Sequence, residues 1–285
     1  MVVLTVDTLN TFPIKSARGF GLGEGEVRDR GFAHDRRWLV VDEDNNFITQ
    51  RECSALATIE PTITPDGLRL CVGTRCINVE TPITENTERV PVVVWRDTVA
   101  ALVVDPAVND FVSSVLGQSA RLVFMDAEAV RQTSGHEGAA GAVSFADGFP
   151  FLITTTASLG ALNEAIVANG GEPSCMDRFR ANIVINNQIP WEEDFWRLIQ
   201  IGDVTFRIVK PCRRCVVTTK DQQTGASTGS EPLSTLSKIR RSDHPDLNGV
   251  LFGWNAIPVN NGVIRPGDVM TVLESRNKGW PIAAS

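Results

Sequence analysis

Tyrosine is absent from the 285 residues, and histidine occurs three times, at His34, His136 and His244. The missing tyrosine has no physical account; the scattered histidines argue against a ready tetrahedral metal site. No basic block stands out, and 27 Lys and Arg against 34 Asp and Glu leave a net charge of -7. That balance offers no stripe of cations to displace counterions from phosphates, so a nucleic-acid partner is not expected. No apolar run approaches the roughly 20 residues needed to cross a bilayer, so no membrane partner is expected either. The opening MVVLTVDTLNTFPIKS has no basic region followed by an apolar one, and it does not read as a secretory signal. Six cysteines without such a signal favour reduced thiols in a cytoplasmic protein.

What is present reads as mostly β. Arg36–Glu52 reads as a strand, a polar turn at Asp42–Asn46 and a second strand, and Val90–Asp105 continues in β-branched residues. Pro106 then opens a helix with Val108, Phe111, Val112 and Val115 on one face and Gly117 as its stop. Glu128–Pro150 is rich in Gly, Ala and Ser and reads as a long loop. Thr154–Gly171 reads as an amphipathic helix, capped by threonine, burying Leu159, Leu162 and Ile166 and stopping at Gly170. Short strands return at Ala181–Asn186 and at Ile199–Val209, where Val204, Phe206 and Ile208 alternate. The fold class is therefore mainly β with a few helices, built from two barrel-like units. The division expected is residues 1–120, a connecting segment 121–150, and a second unit 151–275.

One cysteine pair is placed by geometry. Leu68–Glu80 reads as a hairpin turning at Gly73-Thr74, which sets Val72 against Arg75 and Cys71 against Cys76. A disulfide is conceivable there, but the compartment favours two reduced thiols packed side by side.

A second pair lies in VKPCRRCVVTTKD, where Cys212 and Cys215 bracket Arg213 and Arg214. Zinc would need two more ligands. A thioredoxin-like pair would need a helix after the strand, and VVTTKDQQTG reads as a β-branched run ending in a turn. A thiolate among Lys210, Arg213 and Arg214, with Thr218 and Thr219 as nearby hydroxyl donors, suits a soft metal carried by an anionic cofactor. A solvated arginine pair beside ordinary thiols fits the spacing as well.

Arg178–Gly225 around that motif resembles the core of the MOSC domain, and in particular the group of amidoxime-reducing components and their bacterial relatives. FPIKSARG (Phe12–Gly19) and Ala33–Glu52 look like that group's N-terminal β-barrel domain. SFADGFPFLITTTASL and NNGVIRPGD match in kind and order. The resemblance implies an N-terminal MOSC β-barrel domain followed by a MOSC domain, and a molybdenum cofactor (Mo-molybdopterin). The metal ligand and catalytic position implied is Cys215. Lys15, Ser16, Arg36, Arg180 and Asn182 fall on the family's cofactor-contacting positions. Lysine and arginine suit anionic phosphate and pterin oxygens, and the Asn182 amide can both donate to and accept from a pterin edge. Arg36 could instead pair with Asp35. Glu192, Glu193 and Asp194 read as a solvated acidic turn, with Asp194 placed to orient a pocket arginine.

The activity implied is reduction of a small N-hydroxylated compound, such as an amidoxime or N-hydroxylated base. With no cysteine beyond Cys215, electrons are expected from a separate protein: a flavoprotein reductase, a ferredoxin or a cytochrome b5 type. Arg213 departs from the family pattern near the cysteine and is expected to bear on substrate preference. MOSC domains also close molybdenum cofactor sulfurases, so a cofactor-binding or sulfur-carrier module is the alternative.

Overall fold

The computed structural model describes residues 3–133 and 140–283, and strands dominate it. Seven of them close into a barrel in the order Phe151–Thr155, Ile183–Asn186, Leu4–Thr11, Val269–Ser275, Trp196–Ile201, Val204–Arg213 and Leu247–Pro258, the last pairing back onto the first. Phe151–Thr155 and Ile183–Asn186 run parallel, which requires a crossover. Val204, Phe206 and Ile208 are buried inside the barrel, as their alternation predicts. Phe206 meets Phe151 edge to face at 5.2 Å, and Phe151 meets Phe32 at 5.0 Å. Truncating Phe206 to alanine would cost about 3–5 kcal/mol.

Three α-helices occur among the described residues: α1 (Pro106–Leu116), α2 (Thr156–Ala168) and α3 (Leu233–Ile239). In α1 the Asp105 side chain accepts from the Ala107 amide and Gly117 takes the left-handed cap at φ 69°, as proline first and glycine last predict. The crossover of the barrel is α2, capped by Thr155 and burying Leu162 and Ile166. The helix α3 lies in a stretch with no such expectation.

The N-terminal unit holds one sheet of Trp38–Val41, Arg121–Phe124, Asp97–Val103 and Arg89–Val94, and another of Glu60–Thr64, Gly67–Val72 and Arg75–Glu80. Trp38–Val41 is buried along its whole length, with Trp38 and Val40 in one core and Leu39 and Val41 in another.

Several expectations need correction. Leu4–Thr11, within the first 120 residues, pairs as a strand of the seven-stranded barrel. Arg121–Phe124, assigned to the connecting segment, is a strand of the N-terminal sheet. The Gly-rich loop is partly paired, with Gln132 bridging Ala142; its residues 134–139, including His136, lie outside the described residues. The strand expected after the Asp42–Asn46 turn is reduced to isolated bridges at Asn46 and Phe47. The Asp42 carboxylate accepts from the Asp44 and Asn46 amides, which turns the chain, and the segment that follows runs on to Arg51.

The hairpin register is as read, with Cys71 against Cys76 and Val72 against Arg75. The pair is a disulfide rather than two thiols, its Cα atoms 4.1 Å apart. Facing positions permit the bond. The two units press together at Gly225, where an added Cβ would lie 2.1 Å from the Ser54 carbonyl oxygen, at φ 72°. Only glycine fits that approach.

Candidate functional site

All six residues singled out by the resemblance line one cleft between the units. Lys15 and Ser16 follow the first barrel strand, Arg36 precedes Trp38–Val41, Arg180 and Asn182 precede Ile183–Asn186, and Cys215 lies just past the end of Val204–Arg213. The cleft walls carry Lys15, Arg36, Arg51, Arg180, Arg213 and Arg214 against one carboxylate, Asp147. In a chain of net charge -7, that local excess marks a site for an anion.

Three of these residues are held in the left-handed region: Ser16 at φ 66°, Arg36 at φ 47° and Arg180 at φ 54°. Non-glycine residues there cost of order 1–3 kcal/mol each and persist where the surroundings over-determine them. The surroundings do so here. Asp35, fully buried, accepts from the Phe12 amide at 2.9 Å and from Arg36 Nη1 at 2.6 Å. The Arg36 and Arg180 guanidinium groups both lie over the Phe12 ring, at 4.5 and 4.3 Å. Burial, with Arg36 close by, pushes the Arg180 pKa down to about 9. Its Nη1 donates to Gln222 at 3.2 Å, and its buried Nη2 has no protein partner.

The Asn182 amide is fully engaged. Its Oδ1 accepts from the Leu152 amide and from Arg36 Nη1, and its Nδ2 donates to the Asn10 carbonyl and to Asp35 Oδ1. It therefore holds the arginine in place, and both its amide hydrogens are engaged within the protein. Lys15 Nζ donates to the Phe145 carbonyl at 2.8 Å and to Asp147 at 2.5 Å. An ammonium has three hydrogens, so one remains for the cleft. Burial lowers the Lys15 pKa, against the pull of Asp147.

Each thiol of the Cys-x-x-Cys motif has its own arginine. Arg214 Nη1 lies 3.0 Å from Cys212 Sγ, and Arg51 Nη2 lies 3.4 Å from Cys215 Sγ. Arg214 also donates to the Phe179 carbonyl at 2.7 Å, while Arg213 is exposed. Cys215 precedes a single 3-10 turn, Val216–Thr219, where the sequence suggested an extended run. Thr218 and Thr219 spend their hydroxyls on the Cys215 and Val216 carbonyls, so they shape the turn instead of serving as donors to a ligand. Among the described residues no three His, Cys, Asp or Glu side chains converge, so the two cysteines lack the partners a structural zinc needs.

The acidic run is not a solvated turn. Glu193 and Asp194 are buried, and Asp194 grips Arg240, outside the cleft, through two contacts of 2.8 Å while accepting from Trp254 Nε1. Three residues were missed from the sequence: Arg51, Asp147 and Trp95. Arg51 and Asp147 line the cleft, and Trp95 touches both. Their meaning lies in contacts with partners as far as 164 residues away, for which no local motif exists.

The MOSC N-terminal beta barrel domain pattern matches residues 3–119, and the MOSC domain pattern matches residues 140–271. Mitochondrial amidoxime-reducing component 1 of Homo sapiens is 30% identical over 94% of this chain and 83% of its own length. The chain belongs to the MOSC family. The Mus musculus protein of the same name is 34% identical, over 94% of this MOSC chain and 82% of its own. The Homo sapiens molybdenum cofactor sulfurase is 28% identical over 98% of this chain, which spans 33% of that longer protein. Among the described residues no helix is long and apolar enough to cross a membrane.

Proposed function

We propose that this protein is a molybdenum cofactor-dependent oxidoreductase that reduces N-hydroxylated compounds, amidoximes or N-hydroxylated bases, with electrons from a separate redox protein. The observation that carries the reading is the cleft itself: two half-buried thiols, Cys212 and Cys215, set among arginines and a buried lysine drawn from both units. The fit to an anionic cofactor rests on the orphaned Arg180 Nη2 and on the remaining hydrogen of Lys15. Arginine meets phosphate oxygens in bidentate fashion, and lysine meets them as a point charge.

In this reading Lys15, Arg36 and Arg180 hold the anionic part of the cofactor, Ser16 lies beside them, and Cys215 ligates the metal. Asn182 and Asp35 hold Arg36 in place. The cofactor supplies two-electron chemistry: an N–OH group, two electrons and two protons give N–H and water. The four free cysteines, Cys53, Cys175, Cys212 and Cys215, form no cluster among the described residues, so the electrons are assigned to a separate donor. A cytoplasmic location fits this reading.

The coverage of 98% of this chain by a sulfurase favours one alternative, a cofactor-binding module that holds sulfur without turnover. The deciding experiment measures molybdenum and pterin in wild type, Cys215→Ala and Cys212→Ala made in a host that produces the cofactor, then assays amidoxime reduction with an artificial donor. Near-stoichiometric molybdenum, with turnover abolished only in Cys215→Ala, is the expected result. Bound cofactor without turnover selects the carrier, and absence of molybdenum and pterin overturns both readings.

A further inference from the structure

Trp95 sits where its residue type is least at home. The strands Arg89–Val94 and Asp97–Val103 pair Val94 with Asp97, leaving Trp95-Arg96 as a two-residue hairpin loop. Such loops favour Asn-Gly, because the backbone must enter the left-handed region. Trp95 enters it at φ 59°. A bulky residue there is a strained outlier, and strain of this kind gathers at sites where geometry serves function. The strain is not repaid by burial, since Trp95 stays 44% exposed.

Two of its contacts are cleft residues. The indole Nε1 donates to Asp147 Oδ1 at 3.1 Å, the carboxylate that also holds Lys15. The Arg51 guanidinium, which donates to Cys215 Sγ, lies 4.7 Å from the ring centre. Phe47 braces the indole at 61° and 5.0 Å. A half-exposed indole is thus held against two lining residues at the edge of the cleft, with the Arg51 guanidinium linking it to the thiol.

We propose that Trp95, backed by Arg51, is the specificity-determining wall of the site, against which a flat, uncharged aromatic ring of the substrate stacks. The inference rests on the proposed reductase reading for its substrates. Flat rings stack on an indole without regard to sequence of substituents, and a preorganised ring loses little freedom in binding. An uncharged ring also avoids repulsion from the cations lining the cleft, whereas an aliphatic oxime of the same reacting group gains no stacking.

The test uses cofactor-loaded protein, its molybdenum content measured for every variant. Kd values for benzamidoxime and acetamidoxime are taken by calorimetry without an electron donor, so no turnover occurs, and KM values with a donor. Wild type is expected to prefer the aromatic oxime, and Trp95→Asn to lose about tenfold of that preference in both measurements. Asparagine suits the turn, so this variant is expected to unfold at no lower denaturant concentration than wild type. Trp95→Phe keeps a ring but not the Asp147 bond, and is expected to retain most of the preference. An unchanged Kd ratio in Trp95→Asn, equal weakening of both oximes, or no aromatic preference in wild type would overturn the proposal. Absence of turnover with either oxime counts against the reductase reading alone, because the Kd ratio still decides on Trp95.

Discussion

Two cysteine pairs occupy comparable places, at the ends of antiparallel strands, and have opposite fates. Cys71 and Cys76 face each other across a hairpin and are joined. Cys212 and Cys215 are separated by two arginines at the point where the chain leaves the barrel, and both are free. Facing strand positions bring two Cβ atoms toward each other, whereas a strand end running into a 3-10 turn directs them to separate surroundings. There each sulfur meets a guanidinium, Arg214 or Arg51, drawn from a different unit. The comparison teaches that thiol spacing says little by itself; the backbone path between the thiols and the charge around them decide whether they bond or bind.

The largest expected effect breaks the symmetry between the pairs. Cys215→Ala should lower amidoxime turnover by roughly two orders of magnitude or more, as loss of a metal-site residue does, while the double replacement of Cys71 and Cys76 by serine changes kcat/KM less than threefold (about 0.6 kcal/mol). Steady-state kinetics normalised to molybdenum content checks both. Equal losses would mean that the hairpin pair supports the site.

The next effect separates thiols from carboxyls as the source of pH dependence. Burial, with Asp194 adjacent, pushes the Glu193 pKa up from 4.5 to about 7, although Thr155 and Ser158 donate to it. Between those values the folded state keeps a proton that the unfolded chain has released, so stability falls as pH rises through that window. The expected fall is of order 3 kcal/mol, and Glu193→Gln should flatten it. Denaturant midpoints from pH 4.5 to 8 measure it, and an undiminished slope in the variant would assign the dependence elsewhere.

A smaller effect is expected from Arg214→Met. It leaves the Phe179 carbonyl without its 2.7 Å donor and Cys212 without its guanidinium. About 2 kcal/mol of stability should be lost, read as a shift in urea midpoint at constant slope.

Much of this architecture is legible from local pattern. The Val204, Phe206 and Ile208 alternation, the proline start and glycine stop of α1 and the Cys71–Cys76 register each depend on neighbours within a few residues, and each stands in the structure. Roles set by distant partners are not legible in that way. Asn182 looks like a ligand in sequence, yet its amide is held by Asn10 and Asp35, 172 and 147 residues away. Nothing local in Leu4–Thr11 names its neighbours, and only the closed barrel places it among strands from the other end of the chain. Arg51 follows a polar turn that promises a second strand. Its value appears when the strand fails to form and the side chain meets Cys215.

The smallest effect sharpens the comparison from the other side. The Cys71–Cys76 bond encloses four residues, and a short loop loses little freedom on closure. The chain-entropy relation gives about 2 kcal/mol at most for so short a loop. The Gly73-Thr74 turn, with Gly73 at φ 58°, already favours the closed hairpin, so about 1 kcal/mol is expected on reduction. Mild reductant should therefore lower the urea midpoint slightly, leave the slope unchanged and spare the cleft, which shares no lining residue with this hairpin. Alkylation with iodoacetamide followed by mass spectrometry should mark Cys76 only after reduction. A large loss of stability would mean that the bond locks more than its own turn, and the two pairs would then differ in chemistry but not in structural weight.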